Sequence, residues 1–194
     1  MATVLTSVPT RPATPHEPVL VAEVIGTLAP TVGQTIIDCT FGAGGHARRL
    51  APLVGRTGTY IAIDRDGSTE QHFTTFSEGV DCHTRFVRAD FAEGLRRLVD
   101  EGIQADAILM DLGLSSMQVD QPERGFSYSR NAPLDMRMDT TAPRSAADLL
   151  AEADEDELAG WFRTYGEERY ARPIARAIVR ERQTRPIDST CALV

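Results

Sequence analysis

Asp38-Cys39-Thr40-Phe41-Gly42-Ala43-Gly44-Gly45-His46 places a carboxylate, a glycine-rich turn and an imidazole in one short stretch. The apolar run Thr35-Ile36-Ile37 precedes it, and a helical pattern from Ala47 to Leu53 follows. That order predicts strand, turn and helix, the unit from which an α/β protein builds a nucleotide pocket. A second apolar segment, Ile61-Ala62-Ile63, ends in Asp64. An acid at that place can accept hydrogen bonds from both ribose hydroxyls of an adenosine-containing cofactor. Two cofactors meet these requirements. Gly42-x-Gly44-x-x-Ala47, with Asp64 about 20 residues on, formally satisfies a dinucleotide fingerprint. Asp38 argues the other way, because its charge would repel a pyrophosphate lying on the turn. S-adenosyl-L-methionine has no phosphate and carries an ammonium and a sulfonium, so the acid favours it. An NAD-dependent oxidoreductase stays as the alternative, and a plain tight turn is the simplest reading of the glycines alone.

A later segment, Ala107-Ile108-Leu109-Met110, runs into Asp111-Leu112-Gly113-Leu114-Ser115-Ser116. In an open α/β sheet this point adjoins the first glycine loop and faces the transferable group. Asp111 is therefore a candidate to orient the cofactor's ammonium or to accept a proton from a substrate amine, against the plainer role of a turn cap. Phe91 is placed to lie on an adenine face, and Asp90 to accept the adenine amino group. Gln118, seven residues beyond Asp111, is a candidate to close over the cofactor.

These residues need a scaffold. Strands are expected at about 35–39, 58–63, 84–89 and 106–111, with helices near 46–53, 67–77 and 91–101 and another from Val19 to Leu28. The alternation predicts an α/β fold, a parallel sheet covered by helices on both faces. Residues 112–144 are rich in turn formers, and a stretch of that length without secondary structure is usually functional. From Ser145 onward the pattern is helical. Ser145 caps one helix, Asp154 with Glu157 forms a capping box for a second, and a third runs from about Pro173 to Gln183. The expected division is a disordered tail over 1–15, a cofactor-binding domain over 16–144 and a helical domain over 145–194.

Composition narrows the function. No apolar run reaches the ~20 residues that span a bilayer, and the N-terminus lacks a signal pattern, so the cytoplasm is the expected location and no membrane partner is expected. Cys39, Cys82 and Cys191 have no metal-ligand spacing. The net charge is −8, yet all 20 basic residues are arginine, and seven of them fall between Arg163 and Arg185. Arginine forks onto phosphate, so this cluster is either an RNA-facing surface or a solvated helix face paired with its glutamates.

Longer motifs complete the pattern: Ile63-Asp64-Arg65-Asp66, Asp111-Leu112-Gly113-x-Ser115-Ser116-x-Gln118, Arg124-Gly125-Phe126-Ser127, Pro133-Leu134-Asp135-Met136-Arg137-Met138-Asp139 and Tyr165-Gly166-Glu167-Glu168-Arg169. With the glycine loop, and in this order, they resemble the bacterial RsmH (MraW) methyltransferase family from about His16 to the end. The resemblance implies a class I methyltransferase (Rossmann-like) fold with an inserted helical domain, and S-adenosyl-L-methionine as cofactor. It implies methylation of N4 of a cytosine in the decoding region of 16S ribosomal RNA, with that RNA or the small ribosomal subunit as partner. Gly44, Gly45, His46, Asp64, Phe91, Asp111 and Gln118 match the family's cofactor contacts. Asp111, Ser115, Ser116 and Asp135 are the candidates for holding the amine and taking its proton, with a salt bridge to Arg137 as the plainer role of Asp135. Phe126 and Tyr128 are candidates to stack on the target base. Ala43, Met117 and Pro173 depart from the family pattern without touching those contacts. Family members are longer, so the sequence is expected to be an N-terminal piece lacking the last strands. Its fourth strand would then be an exposed edge open to a partner strand. A homodimer, and a cofactor- or RNA-binding fragment without turnover, are further expectations.

Overall fold

The computed structural model describes residues 18–194; the tail over 1–15, together with His16 and Glu17, lies outside them. Four parallel strands, β1 (Thr35–Asp38), β2 (Thr59–Asp64), β3 (His83–Arg88) and β4 (Ala107–Leu109), stand in the order β3-β2-β1-β4. The chain winds outward from β1 to β3, then crosses back to set β4 on the far side of β1. Asp38 pairs with Ala62 on one side and Leu109 on the other. The reversal opens a crevice at the carboxyl ends of β1 and β4, where open α/β sheets bind ligands.

Helices α1 (Val21–Leu28), α2 (Ala47–Val54), α3 (Thr69–Glu78) and α4 (Phe91–Asp100) accompany the sheet. The two-residue period of the strands sorts their apolar side chains between two faces. Ile36, Tyr60 and Ala62 enter a core with Phe41, Leu50, Val54 and Phe76. Ile37, Ile61 and Ile63 enter the opposite core with Val87 and Leu98. Tyr60, Ile61, Ala62 and Ile63 are all buried, as a parallel strand covered on both faces requires. Ile108 on the outer strand is 47% exposed, and among the described residues β4 has no strand beyond it.

After β4 the chain forms α5 (Ser116–Asp120), a 3-10 turn (Pro122–Arg124), and then α6 (Ala146–Glu152), α7 (Glu155–Thr164), α8 (Ala171–Glu181) and α9 (Thr190–Leu193). The caps expected from the sequence are present: Ser145 with Asp148 and Asp154 with Glu157 form reciprocal boxes. Pro173 lies in the first turn of α8, where its missing N–H leaves no helical bond unmade. Leu150, Leu158, Ala159, Ala175 and Ile178 pack into a core of their own together with Leu134 and Ile187. Leu134 thus belongs with the helices although it precedes residue 145. Pro133 forms an antiparallel bridge with Ser189, so the two ends of the span between them meet at one place. Among the described residues no helix is long and apolar enough to cross a membrane.

Candidate active site

The end of every strand contributes to one cavity of about 440 Å³, within the range of small-molecule sites. β1 supplies Thr40, Gly42, Gly45 and His46; β2 supplies Asp64 and Arg65; β3 leads to Asp90 and Phe91; β4 leads to Asp111, Ser115, Ser116 and Gln118. Six of the seven expected cofactor residues line it. Gly44 does not: its φ is +75°, and a Cβ there would sit 2.9 Å from the Phe41 ring. Gly44 therefore shapes the loop by letting it close over Phe41.

The β2 carboxylate is held at both oxygens. Asp64 Oδ2 accepts the Gly42 N–H at 2.8 Å, and Oδ1 accepts the Asp66 N–H at 2.9 Å. Burial raises its pKa against these bonds. Each oxygen keeps a second lone pair for a hydroxyl donor. At the opposite end Asp111 donates its backbone N–H to Thr40 Oγ1 at 2.8 Å, which ties the β4 loop to the β1 loop. Its carboxylate is more than half exposed and lies 3.6 Å from Nε2 of the buried His46. Phe91 is 42% exposed beside the cavity. Asp90 caps α4, accepting the Ala92 and Glu93 N–H groups at Oδ1.

Other expected residues sit differently from their reading in the sequence. Asp38 does not face the cavity. It is 1% exposed and accepts the Tyr60 hydroxyl at 2.8 Å and the Thr40 N–H at 3.0 Å. Burial pushes its pKa up to about 6. The carboxylates that do line the cavity, and so set its charge, are Asp64, Asp90 and Asp111. Gln118 lines it too, yet its amide is engaged: Oε1 accepts the Ser115 N–H at 3.1 Å and Nε2 donates to Asp66 at 3.1 Å. Ser115 Oγ caps α5 by accepting the Met117 N–H, whereas the Ser116 hydroxyl makes no hydrogen bond among the described residues. Asp135 is outside the cavity. Arg137 grips it with Nε at 2.8 Å and Nη2 at 2.7 Å, the salt bridge that was the plainer reading, and this holds its pKa down. Tyr128 is 80% exposed, and Phe126 lies 6.0 Å from the Arg124 guanidinium.

Of the clustered arginines, Arg172 and Arg176 pair with Glu155, Arg172 also with Asp156, and Arg185 with Glu181. Arg182 donates to the carbonyls of Leu150 and Ala153. Arg163, Arg169 and Arg180 have no salt bridge among the described residues. Residues that carried no role in the sequence reading are Thr40, Arg65, Asp66, Arg124 and Met138. The first, second and last line the cavity, and Asp66 with Arg124 lies buried just behind it.

Fold and site together define a Rossmann-like α/β protein whose ligand cavity lies at the reversal of strand order. The chain belongs to the MraW methylase family, whose model matches residues 13–194. It is 44% identical over 175 residues to ribosomal RNA small subunit methyltransferase H of Rubrobacter xylanophilus, covering 89% of this chain and 55% of that protein. It is 45% identical over 183 residues to the protein of the same name from Thioalkalivibrio sulfidiphilus, covering 93% and 58%. The chain therefore spans somewhat more than half the length of these relatives. Among solved structures, NSun6 from Pyrococcus horikoshii with SFG matches 55% of this chain and 29% of its own, at 25% identity and a TM-score of 0.43.

Proposed function

We propose that this chain holds S-adenosyl-L-methionine in the strand-end cavity and forms the cofactor-binding part of a methyltransferase acting on N4 of a cytosine in the decoding region of 16S ribosomal RNA. The observation that carries the reading is the set of three carboxylates, Asp64, Asp90 and Asp111, around a cavity that Phe91 makes partly apolar. Such a lining suits an adenosyl compound bearing two positive charges and no phosphate. Family membership supplies the reaction class.

In this reading Asp64 receives the ribose hydroxyls, its carboxylate already fixed by Gly42 and Asp66. Phe91 lies on the adenine, and Gly45 with His46 forms the floor of the amino-acid end. Bound adenosylmethionine supplies an electrophilic methyl group. A cytosine amine is a weak nucleophile, because its lone pair is delocalised into the ring. The chain must therefore align it and accept its proton. Asp111 is an exposed carboxylate of the cavity wall, and its backbone is anchored through Thr40. Ser116, with an uncommitted hydroxyl, and Ser115 complete the acceptor side. Asp135 drops from this role because Arg137 occupies it. Residues 18–132 form the described part of the cofactor domain and the helical layer packs around Leu134. Arg163, Arg169 and Arg180 are the arginines left to meet RNA. A ribosomal substrate places the protein in the cytoplasm.

Isothermal titration tests the cofactor. Adenosylmethionine is expected to bind the 194-residue chain, NAD to give no heat, and Asp64→Ala to weaken binding at least about tenfold by removing a hydrogen-bonded charged group. NAD binding with no adenosylmethionine binding would refute the reading. A methyl-transfer assay on small ribosomal subunits, run with this chain and with a longer family member, separates cofactor binding from turnover.

A further inference from the structure

Behind the cavity a buried polar path leads from the ribose carboxylate to the helical layer. Asp66 is 3% exposed and Arg124 8%. The Asp66 backbone N–H donates to Asp64 Oδ1. Its own Oδ2 accepts from Arg124 Nη2 at 2.8 Å and Gln118 Nε2 at 3.1 Å, and its Oδ1 accepts from the Ser68 hydroxyl and N–H. Arg124 Nη2 reaches further, donating to the carbonyls of Arg137 and Met138 at 2.9 Å each. Met138 is part of the cavity wall. Upstream in the same segment, the Asp135 and Leu134 carbonyls accept the Ala146 and Ala147 N–H groups at 2.7 and 2.9 Å, which are the first two of α6. Gly125 locks the segment from the other side. Its φ is +72°, and a Cβ there would collide with the Pro133 carbonyl.

This pair is not placed for stability alone. A buried ion pair loses much of its Coulomb gain to desolvation, and apolar side chains of similar volume often do as well. Among the described residues Arg124 Nε is also buried without a partner, a cost that a purely structural arginine would avoid. What the pair supplies is direction: one guanidinium fixes a carboxylate on the β2 side and two carbonyls on the segment leading to α6.

Resting on the reading that the cavity takes adenosylmethionine, we infer that Asp66 and Arg124 are positioning residues that couple occupancy of the cavity to the order of residues 134–148. The coupling has a stated source. A ligand touching both Asp64 and Met138 binds more tightly while Arg124 clamps the segment, so it favours the clamped state and holds α6 at its first turn. A frayed segment withdraws the Met138 wall and weakens the ligand in return.

Hydrogen exchange on the 194-residue chain, with and without saturating adenosylmethionine, tests this. Exchange of the amides over 136–148, Ala146 and Ala147 included, is expected to slow at least about fivefold on binding, the low end of a typical coupling. In Asp66→Asn and in Arg124→Lys, which keep shape or charge but cannot bridge all the partners, binding persists while that slowing disappears. Gln118→Met, which removes one arm only, retains part of it. Wild-type binding with no slowing over 136–148 would overturn the inference and leave the cofactor reading intact. Absence of binding by the wild type would overturn both. Slowing that survives in Asp66→Asn would remove the pair from the coupling even where another path exists.

Discussion

A carboxylate raised to about pH 6 by burial is a charge held against the fold, and Asp38 is such a group. Its folded form binds the proton more tightly than the unfolded form, whose value is 3.8. Its contribution is therefore fully present at acid pH and is lost as pH climbs from about 4 through 6, a change of about 3 kcal/mol at most. Asp66 has the opposite sign. Burial works to raise it, but the bonds from Gln118, Arg124 and Ser68 prevail and hold it low. Its stabilisation is present above the unfolded value and disappears as pH falls below it. Urea unfolding between pH 4 and 8 is expected to show wild-type stability falling between pH 4 and 7, and Asp38→Asn flattening that slope. A variant whose slope matches the wild type would show that the Tyr60 and Thr40 bonds already neutralise the cost. The same residue shows where sequence reading stopped. Asp38 was visible as a strand-end acid, but its turn inward depends on a Tyr60 hydroxyl 22 residues away, which no local pattern reveals.

At the level of elements, periodicity and caps were enough to place the strands and major helices to within about two residues, because each is set by its neighbours in the chain. The five-residue α5 was not legible. It is too short to show a period and exists through the Ser115–Gln118 capping box, so Gln118 read as a cofactor lid when half of its work is to start a helix. The Asp66–Arg124 contact spans 58 residues and leaves no trace in spacing. Asp135 is the contrary case, since Arg137 two residues on was a visible partner. The helical layer gives its own prediction. Leu158 is fully buried at its centre, and Trp161, the sole tryptophan, packs against the same cluster. Leu158→Ala is expected to cost 2–5 kcal/mol, roughly, moving the Trp161 fluorescence midpoint to lower urea. An unmoved midpoint would mean that α6, α7 and α8 do not share a core.

The 194-residue chain carries net charge −8 and exposed apolar side chains along and just past β4, where Ile108 and Met110 are 47% and 42% exposed. A strand edge uncovered among the described residues, with such side chains, templates pairing with another chain. Light scattering is expected to show concentration-dependent association of the 194-residue chain, reduced by Ile108→Lys while adenosylmethionine binding is retained. Scattering that stays at the monomer value would show that the edge is already blunted by its twist and brevity.

The bridge between Pro133 and Ser189 bears on how such a molecule can be remodelled. Pro133 and Ser189 meet there, so the span between them is a loop closed on itself. Doubling the length of that loop adds only about 0.6 kcal/mol of ring-closure entropy. Helices can be added or exchanged there one by one while the four strand ends that frame the cavity keep their register.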